Sequence, residues 1–257
     1  MRKVIFRLTV TIIIGLGLLA AGFYLLWLYP RYTVPILTYH SFDNTRDLLS
    51  VSPENFEKQM RYLKEKKFHV ISLDELAEGI KKKKKFPHNT VAITIDDGYR
   101  NNFLHAYPAL KKYGFPATIF LVTYYTGNNL GFLNWAEIKE MSRNGISFGG
   151  HTRTHIYLPS TDREEVLWDE IAGCKKIIEE NAGIKADYFC YPLGGFTEAA
   201  EAAVRKAGYK GACVTNRGDD MLNQHDVYGL NRISVRNNDP FFSFANFTGA
   251  FRFRAKV

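Results

Sequence analysis

The sequence TVAITIDDG, residues 90–98, is a run of β-branched and apolar residues that ends in two acidic residues and a glycine. A short run of this kind, bounded by turn residues, is typical of a strand buried on both faces. Asp-Gly is typical of a turn. The stretch therefore predicts a central strand with two carboxylates at its carboxyl end. Adjacent carboxylates at a buried strand end repel each other, which indicates a nearby cation or separate roles for the two groups.

The same alternation of a short apolar run and an amphipathic stretch continues on both sides of this segment. Helix starts are marked by caps such as Ser52 before Pro53, and Ser72 with Glu75 three residues later. Regular alternation predicts βαβ units and parallel strands, so we expect an α/β fold. A closed or nearly closed (β/α) barrel fits best, and an open doubly wound sheet is the alternative. The other predicted strands cover 34–39, 68–71, 117–122, 146–150, 186–191, 211–215 and 230–235.

The N-terminal part of the chain contains an uncharged stretch from Leu8 to Tyr29. As a helix it would be roughly 33 Å long, enough to cross the apolar core of a membrane. Basic residues precede it, which places the short N-terminus in the cytoplasm. We therefore predict a cytoplasmic N-terminus and transmembrane signal anchor over residues 1–31, and one extracytoplasmic domain over residues 32–257. The alternative is a secretory signal that is cleaved after Ala20 or Ala21.

The net charge of +8 is concentrated in the N-terminal segment and in the run Lys81–Lys85. The remainder of the chain is close to neutral, so a nucleic-acid-binding surface is not expected. The lysine run is interpreted first as a solvated helix end, and attraction to an anionic wall polymer or lipid surface is the alternative. The three cysteines form no CxxC pair, which excludes a disulfide scaffold and a thiolate zinc finger.

Polar residues follow three of the predicted strands at the end where barrel enzymes carry their sites. They are Asp96 and Asp97, then His151 and His155, and His40 after the first strand. Two neutral imidazoles and one carboxylate can form a metal site with open positions. One aspartate would bind the metal and the other would accept a proton from water. Considered alone, each cluster has a simpler interpretation. The aspartates would belong to a turn, His151 and His155 would be unrelated surface histidines, and His40 would be a structural hydrogen-bond donor.

Two further segments are candidates for supporting roles. Gly149 and Gly150 precede His151 and would permit a close approach of the backbone. The loop 191–195, YPLGG, could direct backbone N–H groups at a developing oxyanion, although a plain Pro-Gly loop is an equally good interpretation. Trp135, Tyr124 and Tyr125 could stack on sugar rings, but a core role fits each of them better.

Taken in their order, these motifs resemble those of the polysaccharide deacetylases of the NodB-homology type, carbohydrate esterase family 4. TIDDGY (94–99) is similar to the family's T-F-D-D-G motif, and HTRTH (151–155) to its H-[ST]-x-x-H motif. The resemblance extends from about Val34 to Val235. It implies a distorted (β/α) barrel and one divalent metal ion, with Zn²⁺ as the first expectation. It also implies the following roles: Asp96 as general base, Asp97, His151 and His155 as metal ligands, and the Leu193 N–H at the oxyanion.

Two positions depart from the family pattern. Cys190 stands where the family has an arginine, so the ion pair that orients the catalytic aspartate is expected to be absent. Leu230-Asn231-Arg232 stands where the family has L-x-H, so its acid histidine is missing. The branch that acts on poly-N-acetylglucosamine shows a similar loss and begins with a Tyr-His motif like Tyr39-His40. By that resemblance His40 is the general acid.

The sequence thus predicts a membrane-anchored, extracytoplasmic hydrolase. Its expected reaction is removal of N-acetyl groups from N-acetylglucosamine units of a wall or matrix polysaccharide. Its expected partners are that acetylated polysaccharide and, through the N-terminal helix, a membrane. An O-acetyl esterase on a xylan-type polymer and an inactive wall-binding module are the alternatives. The oligomeric state is not predicted.

Overall fold

A computed structural model of the chain describes residues 2–23, 34–45, 47–84, 86–87, 89–215 and 227–237. Its first element, α1 (Arg2–Phe23), is a helix of 22 residues with no buried residue, and an 18-residue window of it has a mean hydropathy of 2.3. By length and composition this helix can cross a membrane, as the sequence predicts. It begins earlier than the apolar run does, and residues 24–29 of that run lie outside the described residues.

The rest of the described chain alternates strands and helices, as predicted. The strands are β1 (Ile36–Tyr39), β2 (His69–Ile71), β3 (Thr90–Ile95), β4 (Ala117–Leu121), β5 (Ile146–Gly150), β6 (Tyr188–Cys190), β7 (Gly211–Cys213) and β8 (Ile233–Ser234). The helices are α2 (Pro53–Glu65), α3 (Leu73–Lys81), α4 (Tyr107–Tyr113), α5 (Trp135–Arg143), α6 (Glu164–Trp168), α7 (Cys174–Ala182) and α8 (Glu198–Lys206).

The strands form one sheet in the order β7-β6-β5-β4-β3-β1-β8, with β2 beside β3, and every pair is parallel. The segment that contains β8 closes the sheet. Leu230 forms a bridge to Cys213 of β7, and β8 pairs with Leu37 and Thr38 of β1. The sheet is therefore curled into a distorted barrel, and the carboxyl ends of its strands meet on one side.

Local sequence explains where the helices begin. The hydroxyls of Ser52 and Ser72 accept hydrogen bonds from the first turns of α2 and α3. Asn134 and Glu137 form a reciprocal capping box at α5. All six residues of β3 are buried, as expected for a strand covered on both faces.

Five predicted strands are one to three residues longer than those observed, and two other predicted elements differ more. The predicted strand 230–235 is reduced to Ile233–Ser234, because Leu230 bridges to one edge of the sheet and Ile233 pairs with the other. The long predicted helix at 163–181 is formed by α6 and α7, which are joined by the π-helical turn Asp169–Gly173.

Candidate active site

The carboxyl end of β3 carries both acidic residues of the DDG motif. Asp96 continues the strand, because its N–H donates to the Tyr39 carbonyl at 2.9 Å. Asp97 then adopts a left-handed backbone with φ 69°, and Gly98 follows with φ 72°. The turn separates the two carboxylates, so Asp96 is buried in the barrel while Asp97 is partly exposed. One motif therefore supplies two carboxylates with different surroundings.

Asp97 lies beside both histidines of the HTRTH motif. Its Oδ1 is 3.6 Å from His151 Nε2 and 3.4 Å from His155 Nε2. The potential ligand atoms of these three residues all lie within 4.8 Å of one another. The structure therefore brings together the two imidazoles and the carboxylate that the sequence predicts as a metal-binding set.

The chemistry of this donor set fits a divalent cation. His151 Nδ1 lies 2.7 Å from the Cys190 carbonyl, to which it donates, so the lone pair of Nε2 is directed toward Asp97. Burial lowers the pKa of His151 to about 3, which leaves the ring neutral as a ligand requires. Burial also raises the pKa of Asp97 to about 6, and a cation beside this carboxylate would offset that cost. Zn²⁺ accepts such a set of two imidazoles and one carboxylate.

The loop that carries the two histidines is fixed by its own hydrogen bonds. Thr152 and His155 both have left-handed backbones, with φ 62° and 64°. The Thr152 hydroxyl accepts from the His155 N–H at 2.9 Å. The buried carboxylate of Glu170 accepts from the Thr154 N–H at 2.9 Å and from its hydroxyl at 2.7 Å. Thr152 belongs to the predicted HTRTH motif, but the sequence predicts no role for it, and nothing in the spacing relates position 170 to this loop.

The expectation that no arginine orients Asp96 is wrong. Arg232 donates from Nη1 to Asp96 Oδ1 at 2.6 Å and from Nη2 to Asp96 Oδ2 at 2.7 Å. Both side chains are buried. Burial alone would raise the pKa of Asp96, but the guanidinium outweighs it and holds that pKa well below its usual range. Asp96 is therefore a buried carboxylate that stays ionised.

The route of the chain explains how Arg232 reaches Asp96. Arg232 lies between Leu230, at the β7 edge, and β8, at the β1 edge, so it projects into the barrel where the sheet closes. Its Nε donates to the Val214 carbonyl at 3.1 Å, and its Nη2 contacts Cys190 Sγ at 3.0 Å. Cys190 is smaller than arginine and leaves room for this guanidinium. The charge that position 190 lacks is thus supplied from position 232.

His40 lies at the carboxyl end of β1, as predicted. Its Nε2 is 3.7 Å from Asp96 Oδ2, and its side chain is 17% exposed. The Asn102 side chain donates to the His40 carbonyl at 2.8 Å, which fixes this strand end against the turn after β3. His40 therefore faces the same space as the two aspartates from the neighbouring strand.

Leu193 follows β6 in the 3₁₀ turn Pro192–Gly194. Its backbone is left-handed, with φ 57°, and its side chain is 56% exposed. The turn is closed by the Gly194 N–H, which donates to the Tyr191 carbonyl at 3.0 Å. The loop thus stands next to Cys190, whose carbonyl holds His151.

A cavity of about 590 Å³ opens beside these residues. Its wall includes His40, Asp97, Tyr99 and Asp43. Asp43 accepts hydrogen bonds from the hydroxyls of Ser41, Thr45 and Ser50. Burial would raise the pKa of Asp43, but these hydrogen bonds outweigh it and lower that pKa below its usual range. The cavity provides room for a sugar unit next to the candidate metal ligands.

The glycine pair before His151 has the predicted role. A Cβ on Gly149 would lie 2.4 Å from the Tyr188 carbonyl oxygen, and one on Gly150 would lie 2.4 Å from the Tyr209 hydroxyl. Strand β5 can thus approach its neighbour closely. Among the three aromatic candidates, Trp135 packs against the core, whereas the ring of Tyr124 is 61% exposed.

The fold and the site together define a barrel of the type used by metal-dependent hydrolases. The sequence profile of the family described as polysaccharide deacetylase matches residues 83–212. The protein YxkH of Bacillus subtilis (strain 168) is 33% identical over 205 residues, which cover 79% of this chain and 71% of that protein. This chain therefore belongs to the polysaccharide deacetylase family, whose members are metal-dependent enzymes.

Other relatives agree with this assignment. A poly-β-1,6-N-acetyl-D-glucosamine N-deacetylase of Staphylococcus aureus (strain MRSA252) is 31% identical over 204 residues, 75% of this chain and 69% of that protein. The Streptococcus pyogenes deacetylase PplD, solved in complex with acetate, superposes with a TM-score of 0.74 at 25% identity over 81% of this chain and 94% of that one. IcaB from Ammonifex degensii has the same fold, with a TM-score of 0.73 at 23% identity over 85% and 98% of the two chains.

Proposed function

We propose that this chain removes N-acetyl groups from N-acetylglucosamine units of a cell-wall or matrix polysaccharide. The observation that carries the proposal is the juxtaposition of the Asp97, His151 and His155 set with Asp96, a second carboxylate held ionised by Arg232. The named activity of the Staphylococcus aureus relative supports the choice of an amide of glucosamine. Asp97, His151 and His155 would hold the divalent metal, with Zn²⁺ as the first candidate. When bound, such an ion supplies Lewis-acid polarisation of the acetyl carbonyl and of water.

Asp96 is the general base of the proposed reaction. It is an acceptor at the strand end, and its ionised state is secured by two hydrogen bonds from Arg232. It takes a proton from the attacking water, whose oxygen bonds to the acetyl carbon. The Leu193 N–H then donates to the oxygen of that carbonyl as negative charge develops on it.

His40 is the general acid. Arg232 stands where the family has its acid histidine, but its guanidinium is paired with Asp96, which raises its pKa despite its burial, so it cannot give up a proton. His40 lies on the first strand, in the wall of the same cavity, and an imidazole can donate a proton near neutral pH. It protonates the nitrogen as the amide C–N bond breaks, which releases acetate and a free amine.

The proposed location follows from α1. This helix has no buried residue and is sufficiently apolar to cross a membrane, and basic residues precede the apolar run. We infer a single-pass anchor with the catalytic domain outside the cytoplasm. Secretion after cleavage of the helix is the alternative, and the mass of the protein recovered from membranes distinguishes the two.

The function is tested by acetate release from N-acetylglucosamine oligomers and from acetylated xylan, with and without a chelator. The proposal requires release from the oligomers that stops when the metal is removed. Release from xylan alone would replace it with the O-acetyl esterase, and no release from either polymer would favour a wall-binding module.

Variants test the individual roles. Asp97→Ala is expected to abolish metal binding and turnover together, whereas Asp96→Asn should keep the metal and lose turnover. His40→Ala should reduce hydrolysis of an amide more than that of an activated ester, because the better leaving group needs less protonation. Equal losses on the two substrates would contradict the acid role.

A further inference from the structure

The lysines of this domain are distributed unevenly between the two ends of the barrel. Because all strands are parallel, the helix carboxyl ends lie at the end of the barrel where the strands begin, opposite the candidate active site. Lys64, Lys66 and Lys67 end α2 or follow it, and Lys81–Lys84 end α3 or follow it. We call these residues the lysine patch. The described connections at the catalytic end contain no lysine; they are 40–45, 47–52, 96–101, 122–134, 151–163 and 191–197.

The connections that carry the lysine patch contact one another. The Asn89 side chain donates to the Lys67 carbonyl, which joins the connection after α3 to that after α2. Lys64 Nζ lies 3.4 Å from the carbonyl of Tyr113, the last residue of α4. Phe86 packs against Gly79 of α3, since a Cβ on that glycine would meet the Phe86 ring. The described lysines of the patch thus lie at one end of the barrel.

The lysine patch carries more positive charge than is needed to complement the dipoles of α2 and α3. Lysines in the last turn of a helix complement the helix dipole, and this explains Lys64 and Lys81. The other lysines of the patch lie beyond the helix ends. Lys82 pairs with Glu78 at 2.9 Å and Lys84 with Glu75 at 3.7 Å. The other acids of the segment 64–84 are Glu65 and Asp74, and Asp74 pairs with Lys210. Within the described part of the chain, no ion pair to a carboxylate involves the following lysines: Lys66, Lys67, Lys81 and Lys83.

The chain enters the domain beside this patch. Val34 packs in the same apolar cluster as Ile80 and Phe86, the residues that flank Lys81–Lys84. Ten residues, 24–33, separate α1 from Val34, and an extended chain of that length spans at most about 35 Å. The end of the barrel that bears the patch is therefore tethered close to the membrane that α1 would cross.

We propose that the lysine patch rests on the anionic lipid headgroups of that membrane and turns the candidate active site toward the polymer outside. The proposal depends on the membrane anchor and not on the deacetylase reaction. Clustered lysines near a membrane span are attracted by anionic headgroups, and the attraction weakens with salt. The described connections at the catalytic end contain arginines but no lysine, and Arg100, Arg153 and Arg163 are each paired with a carboxylate. This end is therefore attracted less strongly to anionic headgroups.

The test uses the full chain inserted in lipid nanodiscs of phosphatidylcholine, with or without 30% phosphatidylglycerol. Lysine acetylation by a water-soluble reagent is measured by mass spectrometry. With phosphatidylglycerol, Lys66, Lys67, Lys81 and Lys83 should be labelled at least about fivefold more slowly, and 0.5 M NaCl should restore their labelling. The exposed Lys139 and Lys176, in the bodies of α5 and α7, are internal references that should not change.

The variant that combines Lys66→Gln, Lys67→Gln, Lys81→Gln and Lys83→Gln should remove the protection of Lys64, Lys82 and Lys84. The control, Lys139→Gln with Lys176→Gln, should retain it. Equal labelling in the two discs, or equal protection of Lys139 and Lys176, would overturn the proposal. Protection by soluble polyphosphate equal to that by the lipid would also overturn it, in favour of a phosphate-bearing polyanion outside the membrane. A chain that fails to insert would refute the anchor and this orientation together, whereas loss of acetate release alone would concern only the proposed reaction.

Discussion

Replacement of Arg232 by methionine is the most informative perturbation of the site. It removes two charge-assisted hydrogen bonds, of 2.6 and 2.7 Å, and leaves the Asp96 carboxylate buried without its cation. Removing one partner of a buried ion pair costs about 3–5 kcal/mol. For a domain of this size that corresponds to a fall in Tm of roughly 6–20 °C. If Asp96 is protonated instead, the stability loss is smaller, but the base is lost.

Loss of stability and protonation of Asp96 would both reduce turnover, so Tm and kcat are measured on the same protein. Tm is followed by near-UV circular dichroism of the full chain in detergent, and kcat by acetate release from N-acetylglucosamine oligomers. We expect kcat of Arg232→Met to fall at least about 100-fold, which is the contribution of a general base. Lys139→Met changes an exposed lysine outside the site and should alter stability by no more than about 0.5 kcal/mol. An Arg232→Met protein with unchanged Tm and kcat would refute the role assigned to the ion pair.

Rescue from position 190 separates positioning of Asp96 from a general structural role. Cys190 Sγ lies 3.7 Å from Asp96 Oδ2, so an arginine at 190 is adjacent to the carboxylate. The double variant Cys190→Arg with Arg232→Met should recover at least about tenfold in kcat over Arg232→Met. The matched variant Cys190→Ala with Arg232→Met should recover nothing. Equal activities of the two double variants would show that charge at this position is not what Asp96 requires.

Three further predictions concern the surroundings of the site. Because the pKa of Asp43 is lowered in the folded chain, its contribution to stability is present above about pH 4 and lost as the pH falls below that value; Asp43→Asn should flatten the acid limb of a Tm-against-pH curve. Gly149→Ala places a Cβ 2.4 Å from a backbone oxygen and should lower the free energy of urea unfolding by about 1–3 kcal/mol. Gly145→Ala is the comparison without a steric clash: its Cβ meets no neighbour, and only its φ of 88° strains the backbone. Thr152→Val removes the hydroxyl that accepts from the His155 N–H and should weaken zinc binding about tenfold in a chelator competition, with Thr152→Ser as the variant expected to retain it.

The parts of this molecule that could be predicted are those encoded locally. β3 is recognisable because five of its six residues are β-branched and an Asp-Gly turn ends it. The metal-binding set is recognisable because its three residues belong to two short motifs, each directly after a strand. Parallel strands bring their carboxyl ends to one side of the sheet, so the meeting of Asp97 with His151 and His155 follows from the fold class.

Arg232 could not be predicted in the same way. It lies 136 residues from Asp96 in the sequence, and its place is set by the closure of the sheet between β7 and β1. In the sequence, the family's arginine is lost at Cys190 and its histidine at Arg232, and the two losses look independent. In space these are one change, because the guanidinium at 232 contacts Cys190 Sγ and takes up the charge that position 190 lacks. A position-by-position comparison treats the two substitutions separately, whereas a buried carboxylate requires only that a cation reach it from some direction.

Several residues of the site have a strained backbone that must be held by neighbouring groups. Lys67 and Lys83 have positive φ just after helix ends, where left-handed residues commonly end a helix. The other described non-glycine residues with positive φ are Asp97, Thr152, His155 and Leu193. None of these ends an α-helix, and each costs roughly 1–2 kcal/mol, so surrounding contacts must hold them. The contacts are made by protein groups, such as the Glu170 carboxylate, which accepts from the Thr154 N–H, and the Cys190 carbonyl, which accepts from His151.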